Sequence, residues 1–303
     1  MISKYTYKKL TWVDLESPTK EEILHLADQF PVPQPVLDEL ASNTLRSKVD
    51  LYADAIFLVL HFPSMHHRHA KPSEVEVDFI IGRDFIITTH YEHSDALHEF
   101  AKSFEVSSML EKAHIGDHAG YLFFHIIKHL YKNALNELED INGAMREIES
   151  GIFGGQEKDM LLAISKAKRK LVDFKRAIRY HRDVLNSFEI AGKHLFGDGF
   201  AYHLSAIIGE FNRVESALAS HREILNDLRE TNDSLLTHKT NTTMRILTMM
   251  SFVTLPLSLI AVIFAMDVNL PIVGRPDDFL IVMGIMAATV LVILITFKRN
   301  KWL

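Results

Sequence analysis

Ile246-Leu247-Thr248-Met249-Met250-Ser251-Phe252-Val253-Thr254-Leu255-Pro256-Leu257-Ser258-Leu259-Ile260-Ala261-Val262-Ile263-Phe264-Ala265-Met266 runs for 21 residues without a charge. About 20 apolar residues are needed for a helix to cross the hydrocarbon core of a bilayer. A second charge-free run, Phe279 to Phe297, follows after a short break. Core helices of soluble proteins rarely stay uncharged for so long, so both runs are expected to be membrane spans. Between them, residues 267–278 hold Pro271, Gly274 and Pro276, which fit a loop. Lys239 and Arg245 precede the first span, and Lys298, Arg299 and Lys301 follow the second. Basic residues mark the cytoplasmic side, which puts both termini in the cytoplasm and the 267–278 loop outside.

The first run is the less apolar. It carries Thr248, Ser251, Thr254, Pro256 and Ser258. A helix lining a watery path has a use for such residues. So does a helix that packs closely on others or bonds its hydroxyls back to its own backbone. The hairpin alone leaves both readings open.

Upstream, Leu204, Ile207, Phe211, Val214, Leu218, His221, Leu225, Leu228, Asn232 and Leu235 recur by threes and fours, a heptad seam over residues 200–241. No proline interrupts this pattern before Pro256. An unbroken helix from here through the first span covers about 65 residues, or roughly 100 Å. It needs neighbours to pack on. His221 and Asn232 break the seam and are expected to be solvated or register-setting rather than ligands. Residues 120–190 are also expected to be helical. Asn133–Ser150 is acidic, Gly151–Gly155 is turn-like, and Lys158–Phe188 is basic. Together they predict an antiparallel hairpin with a negative and a positive arm, whose charges are self-complementary and solvated.

Residues 1–100 mix helix and strand. Ile56-Phe57-Leu58-Val59-Leu60 and Val75–Thr89 read as strands about the turn Gly82-Arg83-Asp84. Thr19-Lys20-Glu21-Glu22 fits a capping box. The expected fold is therefore α+β. An α/β lobe spans residues 1–115, a helical hairpin 116–198 and a stalk helix 199–245. The spans cover 246–266 and 279–297, separated by the 267–278 loop, and a basic tail covers 298–303.

Composition narrows the function. The formal net charge is −6, and nothing in it suggests nucleic-acid binding. The chain has no cysteine, so disulfides and thiolate chemistry are excluded. Met1-Ile2-Ser3-Lys4-Tyr5-Thr6-Tyr7-Lys8-Lys9 lacks an apolar run after its lysines, so no secretory signal is expected and the soluble part stays where it is made. His66, His67 and His69 sit together between the two strand regions. Imidazole binds zinc and copper, but a loop tract without fixed geometry is a weak ligand set. No Ser/His/Asp set, glycine-rich phosphate loop or paired carboxylates stand out, and the chain is not expected to be an enzyme.

The C-terminal third resembles the CorA family of magnesium and divalent-cation transporters. Asn241-Thr242-Thr243-Met244-Arg245-Ile246-Leu247-Thr248 is similar to the family's Asn-x-x-Met-(Lys)-x-Leu-Thr approach to its first span. Leu255-Pro256-Leu257-Ser258 is similar to its Leu-Pro-Leu-(Thr), and the basic cluster before Trp302 to its ending. Trp12-Val13-Asp14-Leu15, Phe57-Leu58-Val59-Leu60 and Ile86-Ile87-Thr88-Thr89-His90 resemble its opening and sheet. The resemblance implies a homopentameric funnel in the cell membrane, with lipid around it, that carries Mg²⁺ or another divalent metal ion and needs no cofactor. It implies that Asn241, Met244, Leu247, Ser251, Leu255 and Ser258 face the pore, that Met244 and Leu247 form an apolar constriction, and that Lys298, Arg299 and Lys301 ring the cytoplasmic mouth. Their three-and-four spacing independently puts the six on one helix face.

One motif departs from the family. The Gly-Met-Asn signature is here Ala265-Met266-Asp267. In the family the asparagine ring receives the incoming hydrated ion, and magnesium gives up its waters reluctantly. A ring of five Asp267 carboxylates repels itself and titrates as a coupled set. That predicts altered selectivity and a response to external pH, with Asp267 the candidate ligand for a hydrated cation. Transport of Zn²⁺, Co²⁺ or Ni²⁺ is the first alternative. A non-transporting membrane-anchored scaffold or sensor of the same fold is the second.

Overall fold

The structure, a computed structural model, describes residues 2–44, 46–64, 73–109, 116–266 and 278–300. They divide into two compact units, residues 1–229 and 230–303.

The first unit is built on a six-stranded sheet. Its strands are β1 (Ile2–Tyr7), β2 (Leu10–Glu16), β3 (Lys48–Leu51), β4 (Ile56–Ser64), β5 (Ser73–Ile81) and β6 (Phe85–His90), in the order β1-β2-β6-β5-β4-β3. Only β2 and β6 pair in parallel. β4 to β6 are the strands expected from sequence. β1 carries little strand signal, because this edge strand buries almost nothing before Tyr7. On one face, Val13, Leu15, Phe57, Val59, Ile80 and Ile87 pack under the short helices α1 (Lys20–Gln29) and α2 (Gln34–Glu39). α1 opens with the predicted capping box. Thr19 Oγ1 accepts from the Glu22 amide at 3.2 Å, and Glu22 accepts from the Thr19 amide at 2.8 Å.

The other face meets α3 (Asp95–Met109) and α4 (Ala119–Phe153). Phe79 packs edge-on against Phe123, and Phe62 against Tyr131. This face also carries a buried polar chain. Trp12 Nε1 donates to Thr88 Oγ1 at 2.9 Å, Thr88 donates to Asp14, and Asp14 lies 3.5 Å from His90 Nε2. The partner for each group comes from the strand paired with its own, which lets the sheet bury an indole and a carboxylate without orphaning either.

The predicted two-arm hairpin is corrected to three helices. α4 continues through Gly151 to Phe153, and the turn falls at Gly154–Gln156, where Gly155 takes φ +85°. The second arm is broken into α5 (Glu157–Ala177) and α6 (His181–Phe196). No proline or glycine marks the break. Residues 178–180 tighten instead, with Arg179 N–H bonding Arg176 and His181 N–H bonding Ile178. His181 then turns inward, and its Nε2–H donates to the His61 carbonyl at 2.9 Å while Nδ1 accepts from Tyr131 at 2.9 Å.

α7 (Ala201–Ala265) is the single long helix expected. In the first unit its seam residues Leu204, Ile207, Phe211, Val214, Leu218, Leu225 and Leu228 are buried. Phe211 meets both Tyr131 and His181. Leu204 presses on Gly192 of α6, where even a β-carbon would stand 2.8 Å from its Cδ2. The second unit contains the rest of α7 and α8 (Asp278–Arg299). Asn232 is fully buried rather than solvated.

Candidate functional site

Beyond Arg245 the described part of the second unit is almost all apolar surface. α7 and α8 are each long and apolar enough to cross a membrane, and neither apolar stretch is buried. Leu255 and Phe279 are 70% and 75% exposed. Water does not tolerate an apolar surface of this extent, which marks it for lipid or for other protein.

Within this surface the first span has two distinct faces. Met249, Val253, Pro256, Leu257, Ile260 and Phe264 are half-buried. On α8 the covered stripe is Val282, Met286, Thr289, Val290, Ile293 and Phe297. Phe252 and Phe297 meet edge-on with centroids 6.4 Å apart. Met244, Leu247, Ser251, Leu255 and Ser258 are all exposed. At 3.6 residues per turn, the centre of this set lies about 170° from the centre of the half-buried set. The five residues expected to face a pore therefore occupy the side of α7 turned away from its covered side. Asn241, also exposed, lies one turn earlier at the edge of the same face.

Six hydroxyls on this helix are bonded back to its own carbonyls. Ser251 donates to Leu247 at 3.0 Å and Thr248 to Met244 at 2.8 Å. Thr237, Thr240, Thr242 and Thr243 do the same one to three turns below. This is the backbone-bonding reading of those residues, and it does not exclude the other. A hydroxyl that has given its only proton to a carbonyl keeps two lone pairs, which accept hydrogen bonds from the water around a cation. Pro256 leaves α7 continuous, but it supplies no N–H to the Phe252 carbonyl.

At the ends of the spans, Ala265 closes α7, Met266 follows it exposed, and Lys298 and Arg299 are exposed in the last turn of α8. Asp267 and Lys301 lie outside the described residues, as do His66, His67 and His69. Among the described residues no group of three or more His, Cys, Asp or Glu is arranged to hold a metal ion.

The first unit holds ionisable constellations that no sequence motif announced. Burial drives His181 down to about 3, with the His61 carbonyl opposing the shift, so the ring is neutral between Tyr131 and His61. Burial also works against a charge on His90, but the Asp14 carboxylate outweighs it and raises that group. Burial raises Glu76 and Asp78 on β5, and each carboxyl acts on the other. Glu76 accepts the Thr44 amide at 2.7 Å and 2.8 Å. Glu74, Glu76 and Asp78 alternate along one strand, and that alternation was the one available signal of a polar row.

Comparison with known proteins identifies the family. The model of the CorA-like Mg²⁺ transporter protein family matches residues 7–299. The chain belongs to this family. It is 22% identical over 296 residues to the cobalt/magnesium transport protein CorA of Thermotoga maritima, covering 97% of this chain and 83% of that one. The complete structure of the CorA magnesium transporter from Methanocaldococcus jannaschii superposes with a TM-score of 0.83 at 20% identity, over 99% of this chain and 94% of that one. The ZntB cytoplasmic domain from Vibrio parahaemolyticus gives 0.62 at 15% identity, over 76% and 89%. CorA-family proteins transport divalent cations and are not enzymes, and they need no cofactor. The two apolar helices are those of a membrane transporter.

Proposed function

We propose that this CorA-family member conducts divalent cations, Mg²⁺ foremost, through a homopentameric pore lined by the first span. Both termini are cytoplasmic, the second span faces lipid, and Lys298, Arg299 and Lys301 surround the inner mouth. The observation that carries the reading is the division of α7 into a half-buried face and an opposite exposed face holding Met244, Leu247, Ser251, Leu255 and Ser258. On this reading, Ser251 and Ser258 offer hydroxyl oxygens to a hydrated ion, and Met244 and Leu247 close the path by excluding water.

The absence of native cysteine makes the test clean. Single cysteines at Ser251, Leu255 and Ile260 are reconstituted in liposomes, and Mg²⁺ uptake is followed before and after a charged thiol reagent. Uptake through Ser251→Cys and Leu255→Cys is expected to fall at least about tenfold after modification, a change of ~1.4 kcal/mol in barrier. Ile260→Cys, on the half-buried face, is expected to keep its rate. Equal sensitivity at all three positions, or none, defeats the assignment.

Asp267 sets the ion on this proposal. A carboxylate ring attracts Co²⁺, Ni²⁺ and Zn²⁺ as well as Mg²⁺ and is weakened by external acid. Uptake by the unmodified protein is expected to fall as the external pH is lowered through the carboxylate range. Asp267→Asn is expected to flatten that response and shift preference toward Mg²⁺. Identical pH and ion profiles for the two proteins would remove Asp267 from the pathway.

A further inference from the structure

Between the α5–α6 turn and α7, within the first unit, lies a groove of about 390 Å³. Its walls carry three cations. Lys175 and Arg179 come from the end of α5 and the turn that follows, and Arg222 faces them from α7. None of the three has a carboxylate partner among the described residues. Ile178, Phe211 and Leu218 form an apolar floor. The acid on the wall, Glu215, is taken by Arg182, which also bonds the Asn212 side chain at 3.1 Å and lies over the Phe211 ring.

The plain account of basic residues here is that they complement the negative end of α5. It covers Lys175 and Arg176, and Arg176 is indeed spent on Glu74 at 3.7 Å. It does not cover Arg179, which lies beyond the helix, or Arg222, which sits inside a different one. Lys175, Arg179 and Arg222 are exposed around one groove over an apolar floor, and an anion held there meets all three cations. We propose that the groove binds a nucleoside triphosphate. Its phosphates would meet the guanidinium groups of Arg179 and Arg222 in the bidentate manner that suits planar forks, with Lys175 as a point charge. Its base would cover the floor beside Phe211. The groove is of the size that holds small ligands, whereas orthophosphate leaves the floor bare. A ligand in this position ties the α5–α6 turn to α7, the helix that continues into the first span.

The test is equilibrium binding to the full-length protein in detergent, in metal-free buffer of fixed ionic strength, with ATP, GTP, pyrophosphate and orthophosphate. ATP and GTP are expected to bind alike, and orthophosphate at least about tenfold more weakly, because only the nucleotides use the floor. Arg179→Gln and Arg222→Gln are each expected to weaken ATP by about tenfold or more. Ser216→Glu, which puts an acid into the groove from an exposed position, is expected to abolish binding. Lys166→Gln, exposed on α5 outside the groove, is expected to leave affinity unchanged. The proposal is overturned if ATP does not bind at millimolar concentration, if orthophosphate binds as well as ATP, or if Lys166→Gln weakens binding as much as Arg222→Gln. It is also overturned if Arg222→Gln or Ser216→Glu breaks up the homo-oligomer, since the groove's occupant is then a second copy of this chain.

Discussion

Leu247→Arg is expected to stop divalent-cation uptake in liposomes, and Leu247→Ser is expected to raise it. Both results follow from the pore reading of α7. Leu247 is 55% exposed on the side away from the covered stripe, the second residue of the charge-free run and three residues past Met244. In the homopentamer proposed above these two positions would make stacked apolar rings, and an apolar constriction blocks ions by shedding water. An arginine there keeps its charge at any working pH. A doubly charged ion passing about 5 Å from one such guanidinium, at an effective dielectric of about 20, meets a barrier of ~7 kcal/mol. Even if most of that is screened, the loss of rate is at least about hundredfold, which needs only ~2.7 kcal/mol. Serine removes the apolar ring and offers a hydroxyl instead, so water enters and the resting leak grows. The measurement is Mg²⁺ uptake at matched protein density, with size-exclusion profiles showing that both variants still assemble. An assembled Leu247→Arg protein that transports at the normal rate takes Leu247 out of the path. A Leu247→Ser protein with unchanged uptake takes away the constriction.

The parts of the molecule that were legible in sequence share a property: the information for each is local. The charge-free runs become α8 and the end of α7, because length and apolarity are counted along the chain. Thr19 and Glu22 form their capping box because a cap is complete within four residues. The seam from Leu204 to Leu228 is buried because three-and-four spacing is a property of one helix. What escaped depends on residues far apart. The break between α5 and α6 has no proline or glycine, since it serves a contact between His181 and a carbonyl 120 residues away. Of the seventeen histidines, the conspicuous cluster at His66–His69 drew attention. The structure builds His61, His90 and His181, which no sequence motif marked, into hydrogen-bonded positions. Likewise, the basic arm read as merely solvated. Only the approach of Arg222 on α7 makes a groove of Lys175 and Arg179. For the candidate pore face, spacing grouped Met244, Leu247, Ser251, Leu255 and Ser258 on one side of the helix, and the half-buried stripe of α7 lies on the other.

Those histidines pull stability in opposite directions with pH. His90 has a folded pKa above its ordinary 6.5, so its contribution is complete below that value and is lost as pH rises through the folded pKa. His181 is the reverse and the larger case. Its folded value is about 3 against 6.5 unfolded, so the unfolded chain binds the extra proton, and stability is lost as pH falls from 6.5 toward 3. From pH 7 to pH 4.5 that amounts to roughly 3 kcal/mol. The geometry explains why the ring cannot take the proton. Nδ1 is the acceptor for the Tyr131 hydroxyl at 2.9 Å, Nε2–H is committed to the His61 carbonyl at 2.9 Å, and the rings of Phe62 and Phe211 close the remaining sides. His181→Ala opens a cavity there and leaves a buried hydroxyl and a buried carbonyl unpaired, at a cost of about 4 kcal/mol. Thermal unfolding of the full-length protein in detergent is expected to show the soluble-unit transition lowered by about 10 °C at pH 7. His181→Phe fills the space without titrating. It also starts below the native protein, but its transition is expected to fall less between pH 7 and pH 4.5. If His181→Phe and the native protein lose the same amount over that range, the acid sensitivity resides elsewhere, and His181 is not the group that protonates on unfolding.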